Sequence, residues 1–381
     1  MDNLTHSLVG LTAAKAGLEK LSPGATALCL LAASAPDVDI VTLIFRGRWS
    51  FLEHHRGITH SIVGTLALVV LLPLVFYLID RLIAQLEKRK PRVKLKGLLL
   101  VSLAVTATHP FLDWTNNYGV RLLLPWNARW FYGDFLFVID PFFWMVLGGA
   151  SFLLTSKSKK QLIAWLVVAL IPTYLVLVRS AGETPSSNNI PLRLFWITGL
   201  VVLVILCRTK IGREGSARVA IVALVTVAIY SCALAAIHVV ALRRATVQAG
   251  NIANSHTERL LRVAAMPTVA NPTAWLCVLE TDRATYRFNL SVPGNLPDAP
   301  QVVRFEKPVA PAADVVARAA EDDRAQVFLG FARFPVVRVI GDDCLTQTLV
   351  QFADLRYTEP GKGRGTFSLD VPVECPVVEA R

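Results

Sequence analysis

Long apolar runs alternate with short polar loops through the first two thirds of the chain. A helix needs about 20 apolar residues to cross the hydrocarbon core of a bilayer. Runs of roughly this kind occur six times, the fifth being the shortest, at 61–83, 97–115, 135–155, 161–178, 194–207 and 217–241. The pattern therefore predicts at least six membrane-spanning helices.

Two further apolar segments, 4–18 and 24–36, come before these runs and are separated by the turn Ser22-Pro23-Gly24. Proline and glycine at that point favour a tight turn between two helices. A helical hairpin brings its two open ends together. It would therefore set His6 beside the segment Asp37-Val38-Asp39.

Residues 245–381 contain frequent proline and no run long enough to span a bilayer. Apolar and polar positions alternate at 325–329 and 366–371, with the period of two that is typical of strands. We therefore expect a mainly α protein, with a polytopic membrane helical domain at 1–244 and a β-rich extramembrane domain at 245–381.

The composition supports a membrane protein, because 54% of the residues are hydrophobic, only 18% are charged and the mean hydropathy is +0.49. The start of the chain lacks the basic region and cleavage site of a secretory signal, so we expect no processing there. The net charge of +11 could indicate nucleic-acid binding, but the basic residues lack the aromatic neighbours of such a surface. We therefore expect no nucleic-acid partner.

Basic residues instead concentrate in three loops, at 88–96, 157–160 and 208–218. Short loops rich in Lys and Arg stay in the cytoplasm, and all three agree on one orientation. The opposite ends of the helices, and the domain at 245–381, are then on the outer face, which is the periplasm in a Gram-negative bacterium. Cys344 and Cys375 could form a disulfide on that side.

Histidine and aspartate are clustered in the apolar part of the chain. Five of the seven histidines lie within the first 109 residues. Together with neighbouring aspartates they form four short groups, at His6, at Asp37 and Asp39, at His54, His55 and His60, and at His109 and Asp113. Imidazole and carboxylate are ligands of zinc and related divalent ions, so the pattern predicts a metal site.

The sharpest local signal is the pair His109 and Asp113, because a spacing of four residues puts both side chains on one helical face. A buried hydrogen bond between two helices is the alternative. For Asp37 and Asp39 the alternative is a helix-end or surface turn. Arg56 adds a guanidinium that can bind phosphate oxygens in a bidentate manner.

These motifs, Thr5-His6-Ser7, Pro36-Asp37-Val38-Asp39, His54-His55-Arg56-Gly57-Ile58-Thr59-His60-Ser61 and His109-Pro110-Phe111-Leu112-Asp113-Trp114, resemble the YdjM-like family of inner-membrane metal-dependent hydrolases. That family is similar in motif pattern to the zinc-dependent phospholipase C and single-strand nuclease superfamily. The resemblance implies that His60, His109 and Asp113 bind the principal ion with Asp37 or Asp39. It also implies that His6 and His55 complete this site or hold a second ion.

The chain departs from the superfamily pattern because it has neither an N-terminal tryptophan nor a late His-Glu pair. We therefore expect one or two ions, zinc or else manganese, rather than three. The expected function is hydrolysis of a phosphate ester, such as a membrane lipid headgroup, by a metal-activated water. Asp37 or Asp39 would accept the proton, and Arg56 would hold the phosphoryl group. The alternative is a non-enzymatic transporter or metal-binding protein with a structural His/Asp site.

Overall fold

A computed structural model describes residues 1–178, 190–209, 216–294, 302–341, 347–363 and 365–374. The protein is mostly helical, with membrane-length apolar helices and a C-terminal domain of antiparallel sheets, as predicted. In chain order the α-helices are α1 Asn3–Lys15, α2 Ala25–Ser34, α3 Val41–His54, α4 Ile62–Leu86, α5 Leu95–Thr106, α6 Thr108–Trp114, α7 Pro141–Thr155, α8 Lys159–Leu177, α9 Ile190–Arg208, α10 Ala217–Ser255, α11 Ala312–Ala319 and α12 Asp323–Phe331.

Within the described residues, six helical segments are long and apolar enough to cross a membrane. They are Ala25–His54, Ile62–Leu86, Leu95–Trp114, Lys159–Leu177, Ile190–Arg208 and Ala217–Ser255. Large apolar side chains such as Leu82 and Leu86 are exposed on their outer faces, as expected for surfaces that meet lipid. The predicted number of spans is confirmed, but the predicted set is not.

The run at 135–155 was predicted to span and does not reach that length, because its helix α7 begins only at Pro141 and has 15 residues. The carboxylate of Asp140 accepts hydrogen bonds from the backbone N–H groups of Phe142 and Phe143 and so caps the helix there. In its place, Ala25–His54 has membrane length. This segment is not one straight helix, because a 3-10 stretch, Ala35–Ile40, separates α2 from α3.

The N-terminal hairpin is present as predicted. Asp2 caps α1 by accepting a hydrogen bond from the backbone N–H of Thr5, and Gly24 adopts the left-handed conformation that precedes α2. The two helices approach closely, since a Cβ on Gly10 would lie 2.6 Å from the carbonyl oxygen of Cys29. Side chains of the hairpin and of α5 form one buried apolar cluster. It includes Leu28 of α2 and Val101 of α5.

The chain divides into two compact units. The first comprises Met1–Val38 and Ile58–Leu234, and the second comprises Asp39–Gly57 and Ala235–Arg381. The predicted domain boundary between residues 244 and 245 remains a prediction.

The second unit contains two antiparallel sheets. One has the order β1 Leu260–Thr268, β2 Asn271–Thr281, β3 Ala284–Ser291 and β4 Val303–Glu306, and the other has β5 Pro335–Ile340, β6 Gln347–Asp354 and β7 Ser368–Glu374. Alanines near the end of α10, such as Ala241 and Ala245, pack into the same core as Trp275 and Tyr286. Small side chains allow a helix to approach a sheet closely.

The predicted strand at 325–329 is wrong, because these residues lie in α12. Their apolar side chains are also compatible with a helical face, and Ala325 and Phe328, three residues apart, are both buried there. The other predicted strand, 366–371, begins two residues late, at Ser368. Cys344 and Cys375 lie outside the described residues, so their pairing remains a prediction.

A buried carboxylate links the start of the first sheet to its strands. Glu258 accepts hydrogen bonds from the hydroxyls of Thr281 (2.6 Å) and Tyr286 (2.7 Å) and from the guanidinium of Arg304 (2.8 Å). Burial alone would raise the pKa of Glu258, but these three donors outweigh it and lower the pKa from 4.5 to about 2. The charged form is therefore the one that the fold stabilises.

We expect this network to make stability depend on pH. Because the folded pKa is depressed, the stabilisation is present above pH 4.5 and is lost as the pH falls towards 2. A shift of this size corresponds to at most about 3 kcal/mol. In chemical unfolding of the full-length protein, the free energy of unfolding of wild type should exceed that of Glu258→Gln above pH 4.5, and this difference should shrink as the pH falls towards 2. The exposed Glu321→Gln variant is the control, and a constant difference between wild type and Glu258→Gln would contradict the assignment.

Candidate metal centre

A break in the third membrane-length segment orients two of the candidate ligands. Helix α5 ends at Thr106 and the short helix α6 begins at Thr108. Pro110 lacks a backbone N–H and its ring crowds the carbonyl four residues earlier, which explains a break at this point. The short helix α6 then carries His109 and Asp113 on one buried face, with His109 Nε2 3.4 Å from Asp113 Oδ2.

Asp37 and His60 join this pair within the first unit. Nε2 of His60 lies 3.3 Å from Asp37 Oδ1, 3.2 Å from Asp113 Oδ2 and 3.1 Å from Nε2 of His109. Nε2 of His109 is 3.4 Å from the same oxygen of Asp37. One ligand atom from each of the four residues lies within 4.8 Å of all the others.

These spacings fit a tetrahedral ion. Metal–ligand bonds of about 2.0–2.2 Å put neighbouring ligands of tetrahedral zinc roughly 3.3–3.6 Å apart. The five interatomic distances given above range from 3.1 to 3.4 Å. The donor set, two imidazoles and two carboxylates, is one that zinc and manganese both accept.

The charges also fit a divalent cation. Asp113 is buried and Asp37 is largely buried, so two carboxylates converge where water cannot screen their repulsion. A divalent cation neutralises both, whereas neutral imidazoles add no charge.

His109 is held in the tautomer that a metal requires. Its Nδ1 donates to the carbonyl oxygen of Ala33, at 2.6 Å, so Nε2 keeps its lone pair for the centre. Ala33 lies near the end of α2, four residues before Asp37. The end of α2 therefore both orients one ligand and leads into another. Sequence reasoning missed Ala33, because a backbone carbonyl leaves no signal in the side chains.

His6 borders the cluster from α1. Its ring stacks on that of His109 with centroids 3.7 Å apart, and its Nε2 lies 3.4 Å from Asp113 Oδ1. Its Nδ1 is buried and has no hydrogen-bond partner among the described residues. The amino group of Met1 also contacts Asp113. A buried nitrogen of this kind suits a fifth ligand, or a hydrogen bond to a bound molecule.

Asp39, His55 and Arg56 belong to the second unit. Asp39 accepts a hydrogen bond from Nδ1 of His55 and another from the backbone N–H of Arg56, both at 3.0 Å. Arg56 is buried and has a positive φ of 54°, so the carboxylate supports an uncommon backbone shape. His54 is exposed and contacts the carbonyl of Ser50 instead.

Other polar candidates have structural partners. The carboxylate of Asp140 caps α7 and also accepts from the hydroxyl of Tyr230. The indole of Trp144 donates to Asp2. His238 and His256 lie against the rings of Trp275 and Tyr286 in the second unit.

Comparison with known proteins agrees with the motif pattern. Residues 1–184 match the family model described as "YdjM inner membrane protein", which confirms the expected resemblance over the part of the chain that carries all the motifs. The chain is also similar to "Uncharacterized protein YfhP" of Bacillus subtilis (strain 168), at 30% identity over 152 residues. That alignment covers 37% of this chain and 42% of the relative, so the chain spans less than half the length of that protein. No solved structure matches.

Gly64 positions His60. The sequence analysis missed this role, because a glycine at the start of a helix is a weak signal. A Cβ on Gly64 would lie 1.8 Å from the carbonyl oxygen of Ile58, in the 3-10 turn that ends at His60. Ser61 strengthens this contact, because its hydroxyl donates to the same carbonyl and accepts from the N–H of Gly64. The turn therefore rests directly on the first turn of α4.

We expect Gly64→Ala to displace the turn and weaken metal binding by roughly 10–100-fold, as other losses of ligand support do. Calorimetric zinc titration of the purified, metal-stripped protein measures this. Gly250→Ala is the matched control, since a Cβ there meets nothing within 4 Å. Equal zinc affinity in both variants would refute the role of this contact.

Proposed function

We propose that this protein is a membrane-bound, metal-dependent hydrolase that cleaves a phosphate ester, with a phospholipid headgroup as the concrete substrate class. The observation that carries the proposal is the convergence of Asp37, His60, His109 and Asp113 at metal-ligand spacing. Zinc is the proposed ion and manganese the alternative. One ion accounts for these four ligands, and a second would require Asp39 and His55.

The position of the ligands along the chain supports a substrate at the membrane surface. Asp37 follows the end of α2, and His60 immediately precedes the N-cap of α4. Polar groups at helix ends can meet a headgroup without drawing the acyl chains out of the bilayer. The basic loop at 88–96 lies at the opposite end of α4 from His60, which favours the outer, periplasmic face for the ligand end.

A divalent cation at this centre would supply an acidified water as nucleophile and would polarise a phosphoryl oxygen. The residues of the chain do the rest. Asp37, His60, His109 and Asp113 hold the ion, and the carbonyl of Ala33 keeps His109 in the required tautomer. His6 offers its buried Nε2, which lies 3.4 Å from Asp113 Oδ1, as a fifth ligand or as a contact to substrate.

Two roles are assigned from chemistry alone. Asp39 is the proposed proton acceptor, because Asp37 is committed to the ion and Asp39 is the second carboxylate of the same short motif. Arg56 is the proposed clamp on the phosphoryl oxygens, because its planar guanidinium forms paired hydrogen bonds with phosphate.

A structural metal site is the second candidate. The observation that favours it is that four side chains already complete a tetrahedral sphere, which is the pattern of structural zinc. Hydrolysis needs an additional or exchangeable position for water, and His6 Nε2, beside Asp113, is a buried nitrogen that would hydrogen-bond such a water. A transporter is less well supported, since His60 lies in the loop before α4 rather than within a membrane-length segment.

The deciding experiment measures metal content and phospholipid hydrolysis on the same detergent-purified samples. Wild type should hold near-stoichiometric zinc or manganese and release a headgroup or phosphate ester from phospholipid micelles. The double variant His109→Ala/Asp113→Ala should lose both the metal and the activity. The control His54→Ala should keep both, because His54 is exposed and its hydrogen bond is to the carbonyl of Ser50 in its own helix.

Each failure has a distinct meaning. Absence of metal in wild type, even after reconstitution, rejects the metal centre. Bound metal without turnover of phospholipid, carboxylester or amide substrates rejects the hydrolase and leaves the structural site.

Replacing each of the two aspartates in turn should separate ion binding from proton transfer. Asp37→Asn should lose the metal, whereas Asp39→Asn should keep it and lower kcat by about 10²–10⁴-fold, the usual contribution of a general base. Retained kcat in Asp39→Asn would remove Asp39 from the mechanism.

A further inference from the structure

A deep apolar groove lies on the side of the first unit, between helices α1, α7, α8 and α9. Its volume is about 480 Å³. Leu8, Phe152, Ala169 and Leu203 contribute one lining side chain from each of these four helices. The size is within the range of ordinary small-molecule sites, but the lining is almost wholly hydrocarbon.

Glycines make the groove deep. Gly148 and Gly149 of α7 both line it. A Cβ on Gly149 would lie 2.8 Å from Leu203, so this position is closed by helix packing. A Cβ on Gly148 would meet only Leu8, at an ordinary contact distance of 3.7 Å. Gly148 therefore leaves open space that a larger side chain would occupy.

The groove is distinct from the metal centre. Leu4 and Leu8 of α1 line it and are four residues apart, so they share one helical face. His6 lies between them in sequence, about 200° away around the helix at 100° per residue, and faces His109. The helix α1 thus separates the groove from the candidate ligands.

The dimensions match one lipid leaflet. Trp196 and Arg208 line the groove and are twelve residues apart on α9, which corresponds to about 18 Å at the helical rise. Half the hydrocarbon thickness of a bilayer is about 15 Å. An extended acyl chain therefore has the length and the apolar surface that this groove requires.

The charge at one end selects a phosphate. Arg208 is exposed at the last residue of α9, whereas Trp196, twelve residues earlier on the same helix, lines the groove with an aromatic ring. A guanidinium at the end of an apolar helix binds phospholipid phosphate. An empty recess inside a membrane also loses dispersion contacts with its lining, and acyl chains are the apolar rods that a bilayer offers.

We propose that this groove binds one acyl chain of a phospholipid whose phosphate pairs with Arg208. The lipid belongs to the leaflet at the Arg208 end, where basic residues are frequent in the segment 208–218. This lipid is not the substrate of the proposed hydrolase, because its headgroup is at the opposite end of the bundle from the metal ligands. The groove is a separate binding site that holds α7, α8 and α9 together through a lipid.

Photochemical labelling in nanodiscs tests the proposal without any measurement of hydrolysis. The probe is phosphatidylglycerol with a diazirine at the end of one acyl chain, and labelled peptides are mapped by mass spectrometry. Labelling should concentrate on α7, α8 and α9 rather than on α4, whose apolar face is exposed along its length. Gly148→Leu should reduce it to the level of α4, while Gly148→Ala should leave it high.

A second variant addresses the headgroup and does not alter the packing. Arg208→Gln should lower labelling about fivefold, the factor that corresponds to one basic residue beside an anionic lipid. Arg218→Gln is the matched control, because Arg218 is exposed near the start of α10 and does not line the groove. If Gly148→Leu fails to fold, the comparison of Arg208→Gln with Arg218→Gln still tests whether the groove binds the lipid.

Three results would overturn the proposal. Labelling spread equally over α4 and the groove helices would reduce the groove to ordinary lipid contact. Labelling unaffected by Gly148→Leu and Arg208→Gln would exclude the site. A dimer in native mass spectrometry whose groove helices escape labelling would assign the groove to a second copy of the chain.

Discussion

Repulsion between two carboxylates is the constraint on which the candidate centre depends. Asp37 and Asp113 present oxygens within 4.8 Å of each other in a site that is largely closed to water. Two like charges in such surroundings are expensive unless a cation or a proton compensates them. The neighbouring imidazoles supply donors without adding negative charge. The amino group of Met1 contacts Asp113 and compensates one of the two charges. A bound divalent ion would compensate both and, by our proposal, would supply the chemistry.

A few close backbone contacts hold the ligand-bearing segments together at the centre. Gly10 lets α1 and α2 approach, Gly64 lets the turn before α4 rest on its first residues, and Pro110 is associated with the break that orients α6. None of these residues touches the proposed ion. Each determines the path of the backbone next to a metal ligand. A substitution at any of these positions should therefore lower the affinity for metal.

Much of this organisation was predictable from local patterns. The apolar runs predicted most spans, and the i, i+4 spacing of His109 and Asp113 predicted a shared helical face. The late start of α7 was not predictable from hydropathy, because the residues before Pro141 are apolar and yet belong to a loop. The segment at 325–329 was misread, because a short apolar segment suits either a strand or a helix.

The sequence by itself determined the membrane class, the hairpin and the types of residue at the centre, since composition and periodicity follow from solvent preference. The family resemblance implied that His60, His109 and Asp113 share a site with Asp37 or Asp39. The tertiary structure alone decided that Asp37 joins these three, that Ala33 orients His109, and that Asp39 and His55 pair with each other. It also revealed the groove behind α1. These relations join segments far apart in the chain, and distances of this kind depend on helix packing that no local pattern encodes.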